Sequence, residues 1–156
     1  MLELTIPGRG TLRLEHLVLD VNGTLAKDGR LLERMPRLLA ALQDRLTLHL
    51  LTADTHGRQA NMEVMLNLHA TRLQPGREAE QKGDYVRALG AETVVAIGQG
   101  ANDAEMLKAA AIGIAVLNEE GLAVSALLNA DIVCASIYDA LNLLEFPMRL
   151  IATLRC

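Results

Sequence analysis

An apolar run that ends in an acid constrains this chain more than any other feature. Residues 18–25 read Val-Leu-Asp-Val-Asn-Gly-Thr-Leu. Short apolar runs rich in β-branched residues form strands buried on both faces, as in parallel sheets. Open α/β sheets bind ligands beyond the C-terminal ends of their strands, and Asp20 stands at such an end. The Asn-Gly-Thr turn that follows lets the backbone reverse sharply and offers N–H groups to an anion. A carboxylate there suits attack on a phosphoryl group. The plainer alternative is a loop that Asp20 merely caps.

The rest of the chain alternates strand and helix patterns. Residues 2–6 and 11–14 alternate apolar and polar residues around Pro7-Gly8-Arg9-Gly10, which predicts a β-hairpin packed at the end of the sheet. Asp28-Gly29 between short apolar pieces predicts a small flap hairpin directly after the first core strand. Pro36 opens a helix carrying Leu38, Leu39 and Leu42. Strands are expected at 46–52, 70–73 (an edge), 93–97, 112–116 and 131–134. Helices are expected at 57–68, with Met62, Met65 and Leu66 on one face, at 78–89, which Gly90 stops, and at 122–129. A further helix follows Asp103, and two more, separated near Pro147, close the chain. Strands alternating with helices predict a Rossmann-like, doubly wound and mainly parallel sheet with helices on both faces. The 156 residues suit one domain with one core.

Composition removes several function classes. The formal charge of −4 and the scattered arginines leave no basic footprint for nucleic acid, and an aromatic content of 2% leaves no base-stacking platform. No apolar run reaches the length of a membrane span, and the first residues lack the basic start and apolar core of a signal peptide. Cys134 and Cys156 stand far apart, which reads as two free thiols in a reducing cytoplasm. The four histidines show no ligand spacing for zinc, and His56 reads as a surface loop residue.

Four stations carry the chemistry. Asp20 is the first. Thr52 ends an apolar strand in Leu51-Thr-Ala-Asp54; Lys82 lies in the first half of a helix; Gly98-Gln-Gly-Ala-Asn-Asp103 follows a strand. Each has a bland reading: a strand-ending Thr, a solvated Lys, a helix cap at Asp103. Together, and in this order, they resemble the haloacid dehalogenase superfamily, whose signature is Asp-x-Asp-Gly-Thr-Leu. Within it, the chain is similar to soluble proteins that resemble the phosphorylation domain of P-type ATPases, through Leu51-Thr-Ala-Asp54 and Gly100-Ala-Asn-Asp-Ala104. The resemblance runs from about residue 18 to residue 131. With no membrane-spanning run and no room for a nucleotide-binding domain among these residues, an ion pump is not expected.

The resemblance implies a Mg²⁺-dependent phosphohydrolase working through an aspartyl-phosphate. Asp20 is the implied nucleophile, and Thr52, Lys82 and the turn N–H groups around Gly23 bind phosphoryl oxygens. Asp20, the backbone carbonyl of Asn22, Gln99 and Asp103 hold Mg²⁺, with Asn102 in support. Two residues depart from the family: Asn22 replaces the second acid of the signature, and Gln99 replaces the acid of the Gly-rich loop. An amide cannot serve as a general acid, and a neutral oxygen is a weaker ligand for a hard cation. A slow phosphatase is therefore expected, or alternatively a binding protein whose catalysis has decayed. The segments beside the site are too short for a cap domain beyond the flap. The site is then open to a phosphorylated small molecule or macromolecule, or a neighbouring subunit covers it in a homo-oligomer.

Overall fold

The structure is a computed structural model describing residues 1–53 and 59–156. Its frame is a six-stranded, all-parallel sheet. The strands are β3 (His16–Asp20), β6 (Thr47–Thr52), β7 (Ala70–Arg72), β8 (Val94–Gly98), β9 (Ile112–Val116) and β10 (Ile132–Cys134). Their order across the sheet is β10-β9-β8-β3-β6-β7. Within this sheet the path starts at the centre with β3, runs outward through β6 to the edge strand β7, then crosses back to β8 on the other side of β3. That reversal creates a crevice at the C-terminal ends of β3 and β8, the place where sheets of this kind bind ligands.

The two faces of the sheet are sorted by period two. Leu17 and Leu19 of β3 join one core cluster and Val18 the other; Val95 and Ile97 of β8 divide from Val94 and Ala96 in the same way. One face is covered by α3 (Glu78–Leu89), α4 (Ala104–Ala109) and α5 (Val124–Asn129), through Val86, Met106, Leu107 and Ala126. The other is covered by α1 (Met35–Ala40), α2 (Gln59–Leu66), α6 (Ile137–Glu145) and α7 (Pro147–Leu154). Each fully buried Leu, Val or Ile contributes roughly 1.5–3 kcal/mol by leaving water, so β3, buried throughout its apolar run, is held firmly in register.

The N-terminal hairpin forms as expected, from β1 (Leu2–Ile6) and β2 (Gly10–Leu14). It does not extend the main sheet. It is a separate two-stranded sheet whose inner residues Leu2, Leu4 and Ile6 share the core with α6 and α7. The flap is β4 (Ala26–Lys27) with β5 (Arg30–Leu31), and Asp28 and Gly29 both take positive φ in its turn. On α2, Met62 and Leu66 are buried as expected, but Met65 is exposed, because only one edge of this short helix meets the sheet. Among the described residues no helix is long and apolar enough to cross a membrane. Asp54, His56 and Gly57 lie outside the described residues.

Candidate active site

Asp20 closes β3 and is 5% exposed. The turn after it is built on one carbonyl: that of Val21 accepts the N–H groups of Thr24, Leu25 and Ala26. Gly23 takes φ +80°, which a side chain disfavours, and its N–H donates to the Ala26 carbonyl at 2.8 Å. This corrects one expectation. The Gly23 N–H is consumed inside the turn, so Gly23 serves the site by its conformation and its missing side chain. Thr24, buried beside it, donates its hydroxyl to Asp20 Oδ2 at 3.4 Å.

Lys82 comes from the second turn of α3 and is fully buried. Its Nζ donates to Asp20 Oδ1 at 2.6 Å and to Asp103 Oδ1 at 2.7 Å. The solvated-lysine reading is therefore wrong: an ammonium leaves water at this depth only when carboxylates receive it. The other oxygen of Asp103 accepts the N–H groups of Gln99 and Gly100, at 2.8 and 2.9 Å. Asp103 thus folds back over its own loop. Gly98 has to be glycine for this, since a Cβ there would lie 2.6 Å from the Asp103 side chain. With three donors already on its carboxylate, Asp103 positions Lys82 and the loop first, and little of it remains for a metal. Asn102 is exposed and makes no side-chain hydrogen bond to the buried trio.

The trio carries two carboxylates and one ammonium, a net negative charge in the interior. Burial, then the charge of Asp103, push Asp20 from its ordinary 3.8 up to about 7, against the opposing pull of Lys82 and Thr24. Burial works to lower Lys82, but the two carboxylates outweigh it and hold its pKa above the ordinary lysine value. Lys82 stays charged, and Asp20 is the group short of positive charge.

Thr52 ends β6 and is buried. Its Oγ1 accepts the Asn22 amide at 3.3 Å and the Gln59 amide at 2.8 Å. Gln59 also reaches Asn22 Oδ1 at 3.5 Å. Asn22, Thr52 and Gln59 thus form one amide–hydroxyl group beside Asp20. On the other side, the Asn118 amide donates to the Gly23 carbonyl, and Glu119 pairs with Lys27 of the flap. The loop after β9 therefore clasps both the turn and the flap. A cavity of about 210 Å³ opens there, walled mainly by apolar groups including Leu32, Val116, Ile137 and Tyr138.

Thr24, Gln59, Asn118 and Glu120 escape a reading of the sequence. Thr24 sits within the signature without an assigned role. For Asn118 and Glu120 the available signal is that residues 118–121 follow a strand tip of a parallel sheet, where site loops gather. Gln59 gives no signal. His16 and His49, far apart in sequence, meet at 3.1 Å across β3 and β6, and His49 reaches Tyr85 at 2.9 Å. This string of contacts starts at the opposite end of β3 from Asp20.

A hard divalent cation fits the donor chemistry. The nearby donors are oxygens, the buried trio has excess negative charge, and among the described residues Asp20 Oδ2 holds only the long bond from Thr24. Among the described residues no three Asp, Glu, His or Cys side chains converge closely enough to hold a metal by themselves.

Residues 86–139 match the haloacid dehalogenase-like hydrolase family. An uncharacterised protein of Methanocaldococcus jannaschii is 47% identical over 62 residues, 40% of this chain and 67% of that protein. The phospholipid-transporting ATPase tat-1 of Caenorhabditis elegans is 40% identical over 78 residues, 48% of this chain but 7% of the ATPase. Among solved structures, the 3-deoxy-D-manno-octulosonate 8-phosphate phosphatase of Moraxella catarrhalis superposes with a TM-score of 0.66 at 16% identity. That superposition covers 91% of this chain and 87% of the other, a likeness of fold. A strand-tip aspartate paired to a buried lysine, the loop that Asp103 closes and these matches agree: the chain belongs to the haloacid dehalogenase-like hydrolase superfamily.

Proposed function

We propose that this protein hydrolyses phosphate monoesters through an aspartyl-phosphate on Asp20. The observation that carries this reading is Lys82 Nζ, buried between Asp20 at 2.6 Å and Asp103 at 2.7 Å. Phosphoryl transfer needs little covalent machinery; it needs position and neutralised oxygen charge. A buried ammonium touching the nucleophile supplies both. An Asp20 oxygen attacks phosphorus, the bond from phosphorus to the alcohol oxygen breaks, and the alcohol leaves with a proton from water. Water next attacks phosphorus, the bond to Asp20 breaks, and inorganic phosphate departs. Lys82 and the Thr52 hydroxyl bind the phosphoryl oxygens, with the Gly23 turn setting their approach.

Asp20, the Asn22 carbonyl and Gln99 would hold Mg²⁺, with Asp103 contributing its remaining lone pair and Asn102 in support. Bound, the cation offsets charge on the phosphoryl oxygens and on Asp20. The fold-related M. catarrhalis phosphatase, seen with a magnesium ion, a phosphate ion and a KDO molecule, supports a phosphorylated small molecule as substrate. The cavity beside Gly23 leaves room for its non-phosphate part.

A second reading is a phosphate-binding protein with little turnover. Asn22 favours it, because its amide is already bonded to Thr52 and Gln59 and has no acidic proton to give. Hydrolysis of an aryl phosphate with and without Mg²⁺, with Asp20→Asn as control, separates the two. Turnover that needs both Mg²⁺ and Asp20 upholds the enzyme. Phosphate binding with no turnover above the control upholds the binding protein.

A further inference from the structure

We infer that Glu120 supplies the second negative charge of the cation site, in place of the acid that Gln99 lacks. This rests on the cation site proposed above. Gly23 has no side chain, and the space is used. A Cβ built there would lie 2.6 Å from Glu120 Oε2 and 2.7 Å from Gln99 Oε1. A carboxylate oxygen and an amide oxygen thus face one point on the turn that follows Asp20.

Neither oxygen arrives by chance. The Gln99 Nε2 group donates to the Gly121 carbonyl at 3.0 Å, which turns its Oε1 toward Gly23. The Gln99 carbonyl accepts the Ala123 N–H at 3.0 Å. The Glu120 N–H donates to Asn118 Oδ1 at 2.8 Å, and the Asn118 amide grips the Gly23 carbonyl. Residues 118–121 are thus tied to the turn at one end, through Asn118, and to the Gln99 side chain at the other, through Gly121.

The pair has acceptors and no donor. Among the described residues, no N–H or O–H reaches Glu120 Oε2 or Gln99 Oε1, and no Lys, Arg or His pairs with Glu120. Its neighbour differs: Glu119 is paired with Lys27. Two oxygens with lone pairs only, brought to one point, suit a cation held nearby and the waters that it carries. Because no close trio of acids forms among the described residues, Glu120 acts from the outer side of the site, where a charge supports the cation and its waters. Removing such a supporting group typically costs about 10–100-fold in metal affinity.

The test is Mn²⁺ titration by electron paramagnetic resonance, with no substrate present. Wild type, Glu120→Gln, Glu119→Gln, Asp20→Asn and the double variant Gln99→Asp/Glu120→Gln are compared. Glu120→Gln is expected to weaken Mn²⁺ about tenfold or more, with Glu119→Gln within about twofold of wild type and the double variant restored. Equal affinity in Glu120→Gln and wild type, with binding lost in Asp20→Asn, overturns the role of Glu120 and leaves the cation site standing. Binding unaffected by Asp20→Asn, or absent from wild type, overturns the cation site itself. Glu120 is exposed, so Glu120→Gln is expected to melt with the wild type when metal is absent. If it does not, the double variant carries the decision: binding restored by the added Gln99→Asp change supports the role, and binding not restored overturns it.

Discussion

Lys82 and Asp20 are 62 residues apart in the chain and 2.6 Å apart in the fold, both buried. One comes from a helix and one from a strand tip, and each makes the burial of the other tolerable. Asp103 completes the arrangement, and the site's chemistry and its cost to stability both follow from that contact.

Lys82→Met should abolish hydrolysis and destabilise the fold. It leaves two carboxylates facing each other out of water. Breaking a buried ion pair by removing one partner costs about 3–5 kcal/mol. Urea denaturation at neutral pH measures this, and a loss below about 1 kcal/mol would mean that Lys82 is not the charge that holds the trio together.

Metal-free protein should lose stability as pH rises from about 4 to about 7. Asp20 has an ordinary value of 3.8 and a folded value of about 7. Between the two, the folded state binds a proton that the unfolded state releases, so rising pH favours unfolding. Thermal melts in chelator should show the decline, and Asp20→Asn should flatten it. A profile equally steep in Asp20→Asn assigns the effect to other groups.

Asn22→Asp should speed hydrolysis. A positioned general acid contributes about 10²–10⁴-fold, and the position beside Asp20 is where the family carries one. The change also removes the amide that donates to Thr52 at 3.3 Å, so part of the gain is offset. The measurement is kcat for an aryl phosphate and for an alkyl phosphate. The alkyl ester, with its poorer leaving group, should gain more, and no gain for either would show that the missing acid does not limit turnover.

Gly23→Ala should cost both stability and cation affinity. The backbone there is at φ +80°, and the new Cβ would overlap Glu120 and Gln99. A left-handed conformation costs a residue with a side chain roughly 1–2 kcal/mol. Chemical denaturation and Mn²⁺ titration of the same variant read the two effects, and unchanged Mn²⁺ affinity would separate the turn from the cation site.

Much of the architecture was legible in the residues. The buried runs at β3, β6, β8 and β9, the helix from Glu78 to Leu89 and the flap turn at Asp28-Gly29 all follow from local patterns, and all formed. The placement of the four stations on their elements was legible for the same reason, since each lies at a strand tip, in a loop or in the first half of a helix. The hairpin formed too, but its docking on the core beside α7 was not readable, because alternation sets which face is apolar and not what covers it.

Local patterns in the chain fix that an acid ends a buried strand, that a glycine-bearing turn follows, that Thr52 ends a later strand, that Lys82 lies in the first half of a helix and that Asp103 closes a glycine-rich loop. Periodicity and turn chemistry act over a few residues, so these features are written locally. Tertiary structure alone decided the strand order β10-β9-β8-β3-β6-β7, which sets the tips of β3 and β8 side by side. It turned Lys82 inward to two carboxylates, set Gln59 and Asn22 on Thr52 and carried Glu120 to Gly23. Those contacts join segments far apart in the chain, and a buried charge is stable only where its partner is already waiting; no local pattern records where that will be.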